Sequence, residues 1–200
     1  MLRSAAGLRF LGVDVSPGLS RIGLAPEQLA ELGDVIPLHW LHDFWDTIVE
    51  STGASGLGLQ IAEHVRPEAY EVFGCLIAAS STLGEAALRA TRLIGLATKT
   101  VRFSLHHEGS AVTFGVEPFY PELVHRETIE FMVGSVGAIA QHIAGRQLPA
   151  LEVCFKHARP PDTSHHERLF RAPLYFEAAF NGLVFDSHLL DTPVQTRDSV

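Results

Sequence analysis

Hydrophobic spacing along the chain follows the helical period first and then alternates as in strands, and this change of period predicts the architecture. Between Ser80 and Ala97, Leu83, Ala87, Ala90, Ile94 and Ala97 fall on one face three or four apart, while Glu85, Arg89 and Arg92 share the opposite, water-facing side. Thr82 followed three residues later by Glu85 is the capping-box pattern that starts this helix. Just before it, Phe73-Gly74 reads as a turn whose glycine is free to take positive φ. From Val101 the period becomes two: Val101, Phe103 and Leu105, then Val112, Phe114 and Val116 after Glu108-Gly109-Ser110, predict a β-hairpin.

The same pattern extends to both ends. A short helix is expected at the N-terminus, then a turn at Ser16-Pro17-Gly18, and a short helix opened by Pro26. Pro37 opens a longer helix with Leu38, Leu41, Trp45 and Ile48 or Val49 as its stripe, stopped by Gly53, and another short helix follows from Gly56 to His64. The longest helix is expected from Glu122 to Ala144, ended by Gly145. Its core face is Ile129, Met132, Val136, Ile139 and Ile143, and its second stripe is Glu127, Glu130, Gly134, Gly137 and Gln141, polar at both ends and bare in the middle. Two glycines inside a helix cost close to 1 kcal/mol each relative to alanine, so they predict a close approach, with another helix preferred over a ligand. Leu151, Val153 and Phe155 alternate as a strand, Thr163 caps a short helix through Phe170, and further strands are expected at Leu174–Phe176 and Asn181–Phe185. An Asp186-capped turn and a tail of linker composition from Thr192 follow. The fold class is therefore α+β: a helical N-terminal third, with long central helices packed on a small, mainly antiparallel sheet.

Composition narrows the picture. Two hundred residues, 46% hydrophobic and 19% charged, suit one domain with a real core, and no apolar run approaches the ~18 residues that span a bilayer. A formal charge of −8 argues against nucleic-acid binding by this polypeptide itself. Cys75 and Cys154 lack CxxC spacing and read as reduced, buried thiols of a cytoplasmic protein. The eleven histidines include His39 and His42 at i, i+3 and the adjacent pairs His106-His107 and His165-His166. No HExxH or cysteine partner completes a metal site, so they read as surface residues. No P-loop, GxSxG or strand-preceded GxGxxG is present, so neither a cofactor nor catalysis is expected.

Taken in order, several motifs resemble one family. These are Gly12-Val13-Asp14, Ile36-Pro37, Gly56-Leu57-Gly58-Leu59 with Ala62-Glu63, Phe73-Gly74 and Ser80 to Ala86. Phe155-Lys156-His157, Phe176, Asn181, Leu183-Val184-Phe185 and Leu189 to Val194 follow. Over about Gly12 to Val194 the chain resembles the N-terminal sensor domain, labelled arabinose-binding, of AraC-type transcription regulators. The resemblance implies an effector-binding and dimerisation domain over 1–194, with 195–200 the start of a linker to a helix-turn-helix module absent from this chain. It further implies a small-molecule effector, DNA contact only through that absent module, a homodimer and no membrane. The effector site is expected between the helical layer and the hairpin, lined by Phe73, Cys75, Phe103, Phe114 and Met132, with His39, Trp40, Tyr70 or Tyr120 as polar tips. Taken singly, each aromatic reads first as core packing. A protein-interaction or dimerisation domain with no small effector is the alternative.

Overall fold

A computed structural model of the chain describes residues 2–31 and 36–195. The helical third comprises α1 (Leu2–Phe10), α2 (Ser16–Arg21), α3 (Leu38–Thr52) and α4 (Leu57–Glu63), with a 3₁₀ turn at Pro26–Glu31. Then come a 3₁₀ turn at Pro67–Tyr70, α5 (Glu71–Ala78), α6 (Leu83–Leu93), the hairpin β1 (Val101–Glu108) and β2 (Ala111–Pro118), and the long α7 (Arg126–Ala144). The remainder is β3 (Glu152–Cys154), α8 (Ser164–Phe170), β4 (Leu174–Tyr175), β5 (Gly182–Asp186) and a 3₁₀ turn at Ser187–Asp191. The five strands form one mixed sheet in the order β1-β2-β5-β3-β4, antiparallel except between β3 and β4. The α+β expectation therefore holds, including the mainly antiparallel sheet.

Local signals account for the element ends. Gly53 and Gly145 both take left-handed conformations at the C-termini of α3 and α7. At the start of α6, the Glu85 N–H donates to Thr82 Oγ1 at 3.2 Å, and Glu85 Oε2 accepts the Ser81 N–H at 2.6 Å. The reciprocal bond thus lands one residue earlier than in the usual capping box. Arg89 closes an ion pair with Glu85, and Arg92 is exposed, as the polar stripe requires.

Several expectations are corrected. Ser16-Pro17-Gly18 opens α2 instead of turning, because Pro17 fits a first-turn position and a bare Gly18 lets α2 lie against Phe44 of α3. Gly74 lies inside α5, where a Cβ would overlap the Pro67 carbonyl; positive φ falls on Glu71 instead. The long helix starts at Arg126 and not at Glu122, since Pro121–Leu123 forms a separate 3₁₀ turn and Val124 is extended. The tail expected from Thr192 is packed through Val194. Leu83 N–H donates to the Thr192 carbonyl at 2.9 Å, Val194 N–H donates to the Ser81 carbonyl at 3.1 Å, and Thr82 and Pro193 form an antiparallel bridge.

The two faces of α7 meet different layers. One side lies against β2 and β5, while α6 lies against β1; the other side packs on α4 and α8. Gly134 serves that second packing, for a Cβ there would come within 2.7 Å of Ala62 Cβ on α4, whereas a Cβ on Gly137 would meet Leu183 of β5 at an ordinary 3.7 Å. On the facing helix, Gly58 would drive a Cβ into the Glu127 carbonyl.

Candidate functional site

Where α5, α6 and α7 meet the hairpin, the apolar faces do not close completely, leaving a cavity of about 110 Å³. Phe73, Gly74 and Ile77 of α5 and Leu83, Ala86, Ala87 and Ala90 of α6 form one side. Met132, Ser135, Val136, Ile139, Ala140 and Ile143 of α7 form another, and Phe103, Leu105, Val112 and Phe114 of the hairpin close it, with Phe185, Leu189 and Leu190 at one end. The alanines of α6 are why the space exists, since small side chains face large ones without filling the gap. Phe103 and Phe114 meet edge to face at 5.1 Å, as do Tyr70 and Phe73 at 5.9 Å.

Polar groups in this wall are few. The Ser135 hydroxyl is buried and makes no hydrogen bond of good geometry. Burial pushes the Tyr70 phenol above its ordinary pKa, with Ser135 and Arg3 acting in the opposite direction. Arg3 lies over the Tyr70 ring at 4.8 Å and donates to the carbonyls of Ala69 and Ala97.

Of the nine expected site residues, Tyr70, Phe73, Phe103, Phe114 and Met132 line this cavity. Four do not. His39 is exposed and Trp40 half-buried on α3, which packs against α2 away from the cavity. Cys75 follows Gly74 by one position, so the helical turn points it outward and leaves it exposed instead of buried; Cys154 is buried. Tyr120 is 57% exposed beyond the hairpin. The sequence reading missed Ser135 and the α6 wall. A usable signal was present, because Ser135 lies three residues after Met132 and four before Ile139, on their face of α7.

A second group of interest lies on the opposite face of α7, where Glu127 and Glu130 are both fully buried. Glu127 caps α4 from a distance: Gly56 N–H donates to Oε1 at 3.1 Å and Gly58 N–H to Oε2 at 2.7 Å, with Arg126 also donating to Oε1 at 3.2 Å. Burial and the neighbouring Glu130 raise its pKa, and the Gly58 bond opposes them. Glu130 Oε1 accepts from His166 Nε2 at 3.1 Å, with His157 Nε2 at 3.4 Å, while Oε2 has no partner. Phe155 and Phe176 stack at 5.6 Å and pack against both imidazoles. Burial holds the His157 pKa below its usual value. The surface reading of the histidines is thus wrong for His166, which is fully buried in a helix. Asn181, another motif residue, locks the adjoining loop by accepting the Lys156 N–H at 2.8 Å. Among the described residues no group of three or more His, Cys, Asp or Glu is arranged to hold a metal ion, and no helix is long and apolar enough to cross a membrane.

Comparison with known proteins adds to this geometry. Residues 12–194 match the family model described as the arabinose-binding domain of AraC transcription regulator, N-terminal. Among solved structures, the chain is similar to the transcriptional regulator CdpR from Pseudomonas aeruginosa, with a TM-score of 0.62 and 18% identity. That match covers 97% of this chain and 56% of the CdpR chain, and it shows a shared fold. No curated protein matches.

Proposed function

The chain belongs to the family of N-terminal arabinose-binding-type domains of AraC transcription regulators, and on that premise we propose that it senses a small organic effector and thereby controls a DNA-binding module. The observation that carries this reading is the apolar cavity between α5, α6, α7 and the hairpin, with the buried hydroxyl of Ser135 in its wall. Tyr70, Phe73, Phe103, Phe114 and Met132 are the proposed effector contacts. DNA contact belongs to the module, since a chain of net charge −8 is a poor partner for phosphates. We also propose a homodimer, supported by the exposed apolar side chains Val72 and Leu76 of α5 and Leu88 of α6.

Thermal-shift screening against a metabolite panel tests the effector reading. A binder present at a hundred times its Kd stabilises by about 2.7 kcal/mol, which raises Tm by roughly 5–10 °C in a domain of this size. A panel of sugars, acids, amines and neutral compounds that leaves Tm unmoved throughout favours a protein-interaction domain without an effector. Sedimentation showing a monomer at high micromolar concentration overturns the dimer.

A further inference from the structure

We propose that the effector is a small, uncharged, mainly hydrocarbon molecule carrying one hydrogen-bonding group, and that Ser135 receives that group; the inference rests on the effector reading above. The wall decides the class. Among its described residues no Asp, Glu, Lys, Arg, His, Asn or Gln contributes, and the side-chain hydroxyls of Tyr70, Thr98 and Ser135 are its polar groups. A carboxylate or ammonium entering this space gives up its hydration without meeting a counter-charge. The guanidinium of Arg3 is no substitute, because it lies over the Tyr70 ring at 4.8 Å and is already committed to the carbonyls of Ala69 and Ala97.

A sugar fares no better. Each hydroxyl it buries unmet weakens binding by roughly 5- to 150-fold, and a pentose brings more hydroxyls than this wall can answer. The family label therefore does not describe the ligand that this cavity accepts. Ser135 points to the complementary feature: the residue is 3% exposed, and its hydroxyl makes no hydrogen bond of good geometry within the protein, the Tyr70 phenol being the polar group it acts on. A ligand hydroxyl or carbonyl satisfies it on arrival. Size follows from the volume of about 110 Å³, somewhat below the ~150 Å³ of an apolar cavity known to take benzene. One ring, or a chain of similar bulk, fills it.

The probes are cyclohexanol, cyclohexane, cyclohexanecarboxylate and L-arabinose, tested by thermal shift and calorimetry on the whole chain, its Ser135→Ala variant and its Ala87→Leu variant. Cyclohexanol is expected to raise Tm, whereas the carboxylate and the sugar leave it unchanged. Ser135→Ala keeps the fold, as it removes a single hydroxyl whose one polar neighbour is the Tyr70 phenol, and weakens cyclohexanol by roughly 2- to 10-fold while leaving cyclohexane unaffected. Ala87→Leu narrows the cavity and weakens both. Binding of the carboxylate or the sugar in preference to cyclohexanol overturns the class and leaves the effector reading standing. Silence of all four probes overturns the class, and only silence of the wider metabolite panel as well removes the effector. Equal weakening of cyclohexanol and cyclohexane by Ser135→Ala overturns the role of that serine, and cyclohexanol binding indifferent to Ala87→Leu overturns the location. If Ala87→Leu does not fold, the Ser135→Ala comparison still decides.

Discussion

Acid should destabilise this domain through His125, the residue that caps α7. Its Nδ1 accepts the Glu127 N–H at 3.1 Å, its Nε2 lies 3.4 Å from Asp46 Oδ1, and its ring stacks 6.4 Å from that of Trp45. Nδ1 must be unprotonated to accept, and a positive charge there would also oppose the helix dipole. Burial lowers its pKa from 6.5 to about 4; His42 and Arg126 push the same way, against Asp46 and Glu130. Between these values the unfolded chain holds more protons than the folded one, so stability rises with pH across that window. The contribution is fully present above pH 6.5 and is lost as pH falls through 4. At about 1.4 kcal/mol per pH unit it amounts to about 3 kcal/mol in all, of which about 2 kcal/mol is gone by pH 5. The assay is urea unfolding at pH 7.5 and 5.0, at fixed ionic strength, for the wild type and His125→Asn, whose amide can cap without titrating. The wild type should lose about 2 kcal/mol more than the variant. Equal losses, or an NMR titration of His125 with its midpoint at 6 or above, would refute the reasoning.

Three further outcomes follow from the packing. Glu127→Ala should cost about 3–5 kcal/mol in denaturant unfolding, because it leaves the backbone N–H groups of Gly56 and Gly58 without an acceptor and takes from Arg126 the nearer of its two carboxylate partners; a loss under 1 kcal/mol would dismiss the distant cap. Gly134→Ala should destabilise by about 1–3 kcal/mol through its 2.7 Å approach to Ala62, whereas Gly137→Ala, whose Cβ meets Leu183 at an ordinary 3.7 Å, should stabilise by up to about 1 kcal/mol; the reverse order in Tm would show the stripe is misassigned. A thiol reagent should modify Cys75 rapidly in the native state and Cys154 only on unfolding, since burial shields Cys154 and raises its pKa; mass spectrometry showing label on Cys154 first would contradict this.

What could be read from the sequence was governed by range. The hairpin, with Glu108 opposite Ala111 across Gly109-Ser110, the cap at Thr82 and Glu85, and the terminating glycines all depend on residues a few positions apart. Glu127 and Glu130 were legible only as a polar stripe, because what buries them, the backbone of Gly56 and Gly58 and the ring of His166, arrives from residues 36 or more positions away. Of the glycines beside them, Gly134 did signal a close approach and Gly137 did not, and the identity of the neighbour came from the fold. The cavity wall shows the same division. Phe103, Phe114 and Met132 follow from periodicity, whereas Cys75 and Trp40 were misplaced because apolar character alone does not say which way a helix turns a side chain.

The short antiparallel bridge between Thr82 and Pro193 gives α6 two attachments with different consequences. Along its length it presents Leu83, Ala86 and Ala87 to the cavity, and at its first residue it holds the Thr192 carbonyl. On the proposed effector reading, a tilt of α6 that makes room for a guest would pull on the backbone at Thr192 through the bond from Leu83, and the neighbouring bond from Val194 to Ser81 would carry the pull along the same segment.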